Sequence, residues 1–232
     1  MPGIITRGAF SAKSFGFGAS AAGGGAVGTV GIFALGIVSG VGSSTTRNKY
    51  TYACCSSTAT GVGAASAASY AGSAAGNSTR GIFALGLISC APSTTRNKYT
   101  YACCSSTATG VGAASAASYD GSAAGNSTRG IFALGCTSVG SSTTRNKYTY
   151  ACCSSTATGV GAASAASYVG SAAGNSTRGI FSLGFVCGVG RSTTRNKYTY
   201  ACCSSTACGV GAASAASSGG SAASNGTCGV NV

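Results

Sequence analysis

The chain has no histidine, no tryptophan and no glutamate, and its single acidic side chain is Asp120. Proline occurs only at Pro2 and Pro92. Each absence closes off something. General acid–base catalysis needs a histidine, a carboxyl group or an activated lysine beside the substrate, and Asp120 stands in one repeat only. Serine is abundant but has no partner base to make it a nucleophile. Ion pairing cannot offset the 14 lysines and arginines, because one carboxylate side chain is available to pair with them. Most cations must therefore be solvated or bound to something outside the chain. Leu, Ile, Val and Phe are scarce for a packed globule, which together with 39 glycines brings the composition close to that of disordered, low-complexity segments.

What is present argues against disorder. Eleven tyrosines, eight phenylalanines and short, strongly patterned apolar runs recur along the 232 residues. The net charge of +13 predicts attraction to polyanions such as nucleic acid, anionic polysaccharide or a membrane surface. Thirteen cysteines form four adjacent pairs (Cys54-Cys55, Cys103-Cys104, Cys152-Cys153, Cys202-Cys203) and five singles, at Cys90, Cys136, Cys187, Cys208 and Cys228. That density suggests an oxidising compartment, although the opening "MPGIITRGAFSAKSF" lacks an ordinary secretory signal. Residues 14–46 carry no charge and raise the question of a membrane span. Their Gly, Ala and Ser content gives little transfer energy, and their apolar part, "GIFALG", recurs downstream as a repeat element.

Repetition is the dominant fact. The stretch "TRNKYTYACC" occurs four times, and its arginines, Arg47, Arg96, Arg145 and Arg195, are spaced 49, 49 and 50 residues apart. The run from "STTRNKYTY" to "GAASAASY" is identical in the first three units, and the fourth differs at Cys208 and Ser218. A second block, "GNSTRGIFALG", begins at Gly76 and Gly125 and recurs as "GNSTRGIFSLG" at Gly174. We read one repeat domain, 1–232, as a partial unit 1–30 and units 31–80, 81–129, 130–178 and 179–232. "TRGAF" near the N-terminus and "SNGTCGVNV" at the C-terminus are partial copies of the second block. Split units of this kind let a ring close or an open stack be capped.

Within a unit, Ile82, Phe83, Ala84 and Leu85 form a short continuous apolar run, which predicts a strand buried on both faces. "TRNKYTY" alternates with period two, so Arg96, Lys98 and Thr100 are expected on a basic outer face and Asn97, Tyr99 and Tyr101 on an aromatic inner face. "GVGAASAASYAGSAAGNS" reads as tightly packed strand or turn, with small side chains permitting close backbone approach. "GNS" is a turn signal. The units differ mainly at residues 37–43, 87–92, 136–141 and 185–191, and after the tyrosine at Ala71, Asp120 and Val169. These are expected to be loops or strand ends, and the places where units differ in what they contact.

The expected fold is all-β: a propeller-like ring of four to five short blades, or alternatively a β-solenoid of about three coils per unit. The units "STTRNKYTYACCSSTATG" and "GNSTRGIFALG" resemble bacterial and phage repeat proteins with kelch-like units of about fifty residues. The resemblance implies a β-propeller with a binding or structural role and no catalysis.

Candidate sites follow. Arg47, Lys49, Arg96, Lys98, Arg145, Lys147, Arg195 and Lys197 form a repeated array suited to polyanion binding. Cys54, Cys55, Cys103, Cys104, Cys152, Cys153, Cys202, Cys203, Cys208 and Cys228 are disulfide candidates. Adjacent cysteines on a strand point to opposite faces, so they make a poor metal chelate, and no metal or other cofactor is expected. The expected function is a non-enzymatic structural or surface-exposed repeat protein, acting as a scaffold or binding surface. The alternative is a polyanion-binding module for nucleic acid or anionic polysaccharide. Expected partners are other copies of the chain or an anionic polymer, with no small-molecule substrate indicated. The expected location is extracellular, at the cell surface or on a virion.

Overall fold

The computed structural model describes residues 30–51, 60–101, 108–150, 157–201, 207–224 and 229–231. Its architecture is all-β and repeated. One complete sheet contains four antiparallel strands in the spatial order Ser73–Gly76, Arg80–Ala84, Arg96–Thr100 and Thr109–Val111. The next repeats it with Ala123–Gly125, Arg129–Ala133, Arg145–Thr149 and Thr158–Val160. A third is built from Ala172–Gly174, Arg178–Ser182, Arg195–Thr199 and Cys208–Val210. Ahead of them stands a three-stranded sheet of Val30–Ala34, Arg47–Thr51 and Thr60–Val62. After them comes the pair Ala222–Ser224 and Gly229–Asn231. Each complete sheet thus takes its first strand from the end of one sequence unit and its other three from the next.

Local chemistry explains the strands. The Asn77 side-chain oxygen accepts hydrogen bonds from the backbone N–H groups of Thr79 (2.9 Å) and Arg80 (2.8 Å), fixing the turn into the second strand. Asn126 and Asn175 do the same in the following units. The apolar run then pairs with the "RNKYT" strand in fixed register, with Phe83 opposite Asn97 and Ile82 opposite Lys98. Gly76 and Gly81 face each other across the first two strands, and a Cβ on either would collide with the Tyr101 hydroxyl. The glycines make room for the tip of that ring. Between the second and third strands the variable segments form small hairpins, such as Leu87–Ile88 with Ala91–Pro92. That hairpin also pairs with Ser69–Tyr70, which precedes the sheet.

All pairings among the described strands are antiparallel. Coils of a solenoid pair in parallel along the stack, so the solenoid alternative does not describe these sheets. The uncharged stretch 14–46 enters the described region as the strand Val30–Ala34 and the hairpin Ile37–Val38 with Gly42–Ser43. No helix among the described residues is long and apolar enough to cross a membrane.

The core lies between sheets. Ile82 packs against Phe132, Tyr148 and Tyr150 of the following sheet, and Ile131 against Phe181, Tyr198 and Tyr200. The period-two division of "RNKYTY" is therefore real, but its expected basic outer face is not exposed. Arg96 and Lys98 are 2% and 7% exposed. Each central sheet is sandwiched: the Asn/Tyr face looks back to the preceding sheet, and the Arg/Lys face looks forward to the next.

Candidate binding surface and the buried basic array

The repeated basic residues sit in two environments. Arg47, Arg96, Arg145 and Arg195 are buried, and so are Lys98 and Lys147, while Lys49 and Lys197 are half-buried. The geometry of the arginines is repeated. Arg47 lies over the Phe83 ring of the following sheet (5.8 Å to the centroid), Arg96 over Phe132 (5.9 Å) and Arg145 over Phe181 (5.9 Å). Each phenylalanine packs edge-on against a tyrosine of its own sheet, Tyr99, Tyr148 or Tyr198, at 5.4–5.5 Å between ring centroids. Burial lowers the pKa of Arg47, Arg96 and Arg145, partly offset by the tyrosine beside each, and burial raises the pKa of Tyr99, Tyr148 and Tyr198. The array is thus a set of joints between sheets rather than a solvent-facing stripe.

The asparagine of the same strand forms a second joint. The Asn97 side-chain oxygen accepts from the Ser66 backbone N–H (3.1 Å) and hydroxyl (3.2 Å) of the preceding unit. Ser115 with Asn146 and Ser164 with Asn196 repeat the contact. A third joint involves the second variable position. Asp120 N–H donates to the Ala71 carbonyl (2.9 Å), Val169 N–H to the Asp120 carbonyl (3.0 Å) and Gly219 N–H to the Val169 carbonyl (2.9 Å). Ala71, Asp120 and Val169 take left-handed backbone angles (φ 55°, 53° and 54°), a conformation that disfavours a β-branched side chain such as Val169. The position lies outside the strands, as expected of a loop or strand end, and it forms a backbone relay between units, made by main-chain atoms that any residue supplies.

Among the disulfide candidates, Cys54, Cys55, Cys103, Cys104, Cys152, Cys153, Cys202, Cys203 and Cys228 lie outside the described residues. Cys208 is an exposed free thiol that opens its strand where the other units have Thr60, Thr109 and Thr158. Cys90, Cys136 and Cys187 are also free. Burial raises the pKa of Cys136, the opposite of what a reactive thiolate needs.

The exposed chemistry is concentrated at the variable hairpins. Val41, Val139 and Val189 stand at their tips and are 77%, 95% and 78% exposed, and Ile37 is 62% exposed. In the second unit the tip carries Ser89 and Cys90, both at left-handed φ. These hairpins all leave the sheets at the same point, between the apolar strand and the "RNKYT" strand. The "GVG" and "SVG" inserts were the visible signal for them; the buried arginines had no such signal.

No family model and no curated protein matches the sequence. Among solved structures, the chain is similar in fold to that of YjhT, with a TM-score of 0.63 over 88% of this chain and 68% of that one, at 9% identity.

Proposed function

We propose that this protein is a non-enzymatic scaffold, a kelch-like repeat whose sheets are arranged as a propeller-type ring and which binds through its variable hairpins. Side-by-side packing of the first strands Ser73–Gly76, Ala123–Gly125, Ala172–Gly174 and Ala222–Ser224 supports the ring. The carrying observation for function is a contrast within each unit. Residues at the joints between sheets repeat almost without change, while differences between units gather on exposed hairpins that hold large apolar side chains in water. An extracellular, cell-surface or virion setting suits such a scaffold.

The test replaces Val41, Val139 and Val189 together by serine and uses phenyl-agarose as an apolar probe. The expected result is an unchanged circular dichroism spectrum and a clear loss of retention. Equal retention of the two proteins would remove the hairpins from the adhesive surface.

The net charge of +13 favours a second reading, retention of an anionic polymer. With Arg47, Arg96 and Arg145 buried, that reading rests on more accessible cations such as Arg178 and Arg191. Elution from heparin at no higher salt than an unrelated protein of equal charge would count against it.

A further inference from the structure

Three equivalent cavities of about 10 Å³ lie between neighbouring sheets, each on the order of a single water-sized site. Arg47 lines the first together with Ser69 and Ser73, Arg96 the second with Ser118 and Ser73, and Arg145 the third with Ser167 and Ser122. All three arginines are 2% exposed. One terminal nitrogen of each donates to the carbonyl of the preceding residue, at 3.1 Å for Thr46, 3.2 Å for Thr95 and 3.2 Å for Thr144. The Nε of each is buried without a hydrogen-bond partner.

A buried charge normally has a counter-charge or a full set of hydrogen bonds. Here the chain has one side-chain carboxylate for fourteen cations, and an aromatic face with one carbonyl, or two at Arg145, is a partial substitute. We propose that a small monovalent anion of the chloride class occupies the cavity beside each of these arginines and supplies the missing charge. Serine hydroxyls on the walls add neutral donors, which suit a spherical anion.

The three sites are not equal. Asp120 lines the cavity of Arg145, whereas Ala71 occupies the equivalent place in that of Arg96. A carboxylate there repels a second anion, so the Arg145 site is the weakest.

The experiment compares the full chain, under reductant, in sodium chloride and in sodium gluconate at equal ionic strength, so that general screening of the +13 charge cancels. Gluconate is too large for the cavity. The melting temperature is expected to be higher in chloride by roughly 3 °C or more, saturating with concentration. The ³⁵Cl resonance is expected to broaden on adding protein and to sharpen again on adding bromide. Asp120→Asn should increase the broadening, and Arg96→Met should reduce it by roughly a third or more while leaving the spectrum of the fold intact. Identical melting in the two salts with an unbroadened line would overturn the proposal, because the cavities would then hold water only. Broadening that is indifferent to both substitutions would overturn it too, because the ions would then be on the surface. The line-width measurement requires only folded wild type, so failure of a variant to fold leaves the test standing.

Discussion

The central sheets and the end sheets carry the same strands in different surroundings. Ile82 and Ile131 are fully buried, while Ile180, in the same register position of the last complete sheet, is 37% exposed. Lys98 and Lys147 are buried, while Lys197 of the last complete sheet is half-buried. Phe83 and Phe132 are buried, while Phe33 of the first sheet is half-buried. Neighbours account for the difference. The Ile/Arg face packs on the following sheet and the Phe/Tyr face on the preceding one, so among the described residues Phe33 has no earlier sheet over it, and Ile180 is followed by only the two-stranded pair Ala222–Ser224 and Gly229–Asn231. Stability in such an array is a sum of intrinsic and nearest-neighbour terms, and the buried clusters here join residues of adjacent sheets.

The comparison can be broken most sharply with the aromatic joint. Phe132→Ala is expected to cost about 3–5 kcal/mol, measured by urea denaturation, and Phe33→Ala less than half of that. Equal costs would mean that burial between sheets is not what the phenylalanine contributes. Ile131→Ala should cost about 2–4 kcal/mol, and Ile180→Ala about 1 kcal/mol in proportion to the apolar area it buries.

A global readout comes from pH. Burial raises the pKa of Tyr99, Tyr148, Tyr150, Tyr198 and Tyr200, so the folded state holds their neutral form. Unfolded tyrosine ionises near pH 10. The stability tied to these groups is therefore fully present below about pH 10 and is lost as the pH rises above it toward the folded values. Alkaline unfolding should coincide with a cooperative rise in tyrosinate absorbance. A gradual rise, spread as for free tyrosine, would contradict this. On the acid side, Asp120 is the single side-chain carboxyl group able to titrate, so the melting temperature should change little between about pH 3 and pH 7.

The smallest expected effect concerns the relay. Val169→Gly should stabilise the protein by about 1 kcal/mol, because it removes a β-branched residue from a left-handed position, and Gly219 already occupies the equivalent place. Destabilisation of that size would show that the valine side chain contributes packing that outweighs its backbone strain.

Much of the fold was legible before any coordinates. "GIFALG" read as a strand buried on both faces, and Ile82 and Leu85 are 0% and 1% exposed. "GNS" read as a turn, and Asn77 closes one. The period-two split of "RNKYTY" put the right residues on the same faces. What failed was the inference from a basic face to a solvated one. Parity along a strand says which side chains share a face; it carries no information about what covers that face. The cover comes from a sheet some 49 residues away in sequence.

By itself, then, the sequence determined the repeat length, the strands, the turn chemistry and the near-absence of acid–base groups, because these follow from local composition and periodicity. Only the tertiary structure decided where the arginines lie. Stacking like sheets turns a local basic face into an interior joint, where Arg47, Arg96 and Arg145 meet a phenylalanine ring and a small cavity in place of solvent. Burial there depends on contacts between units, and no single unit contains them.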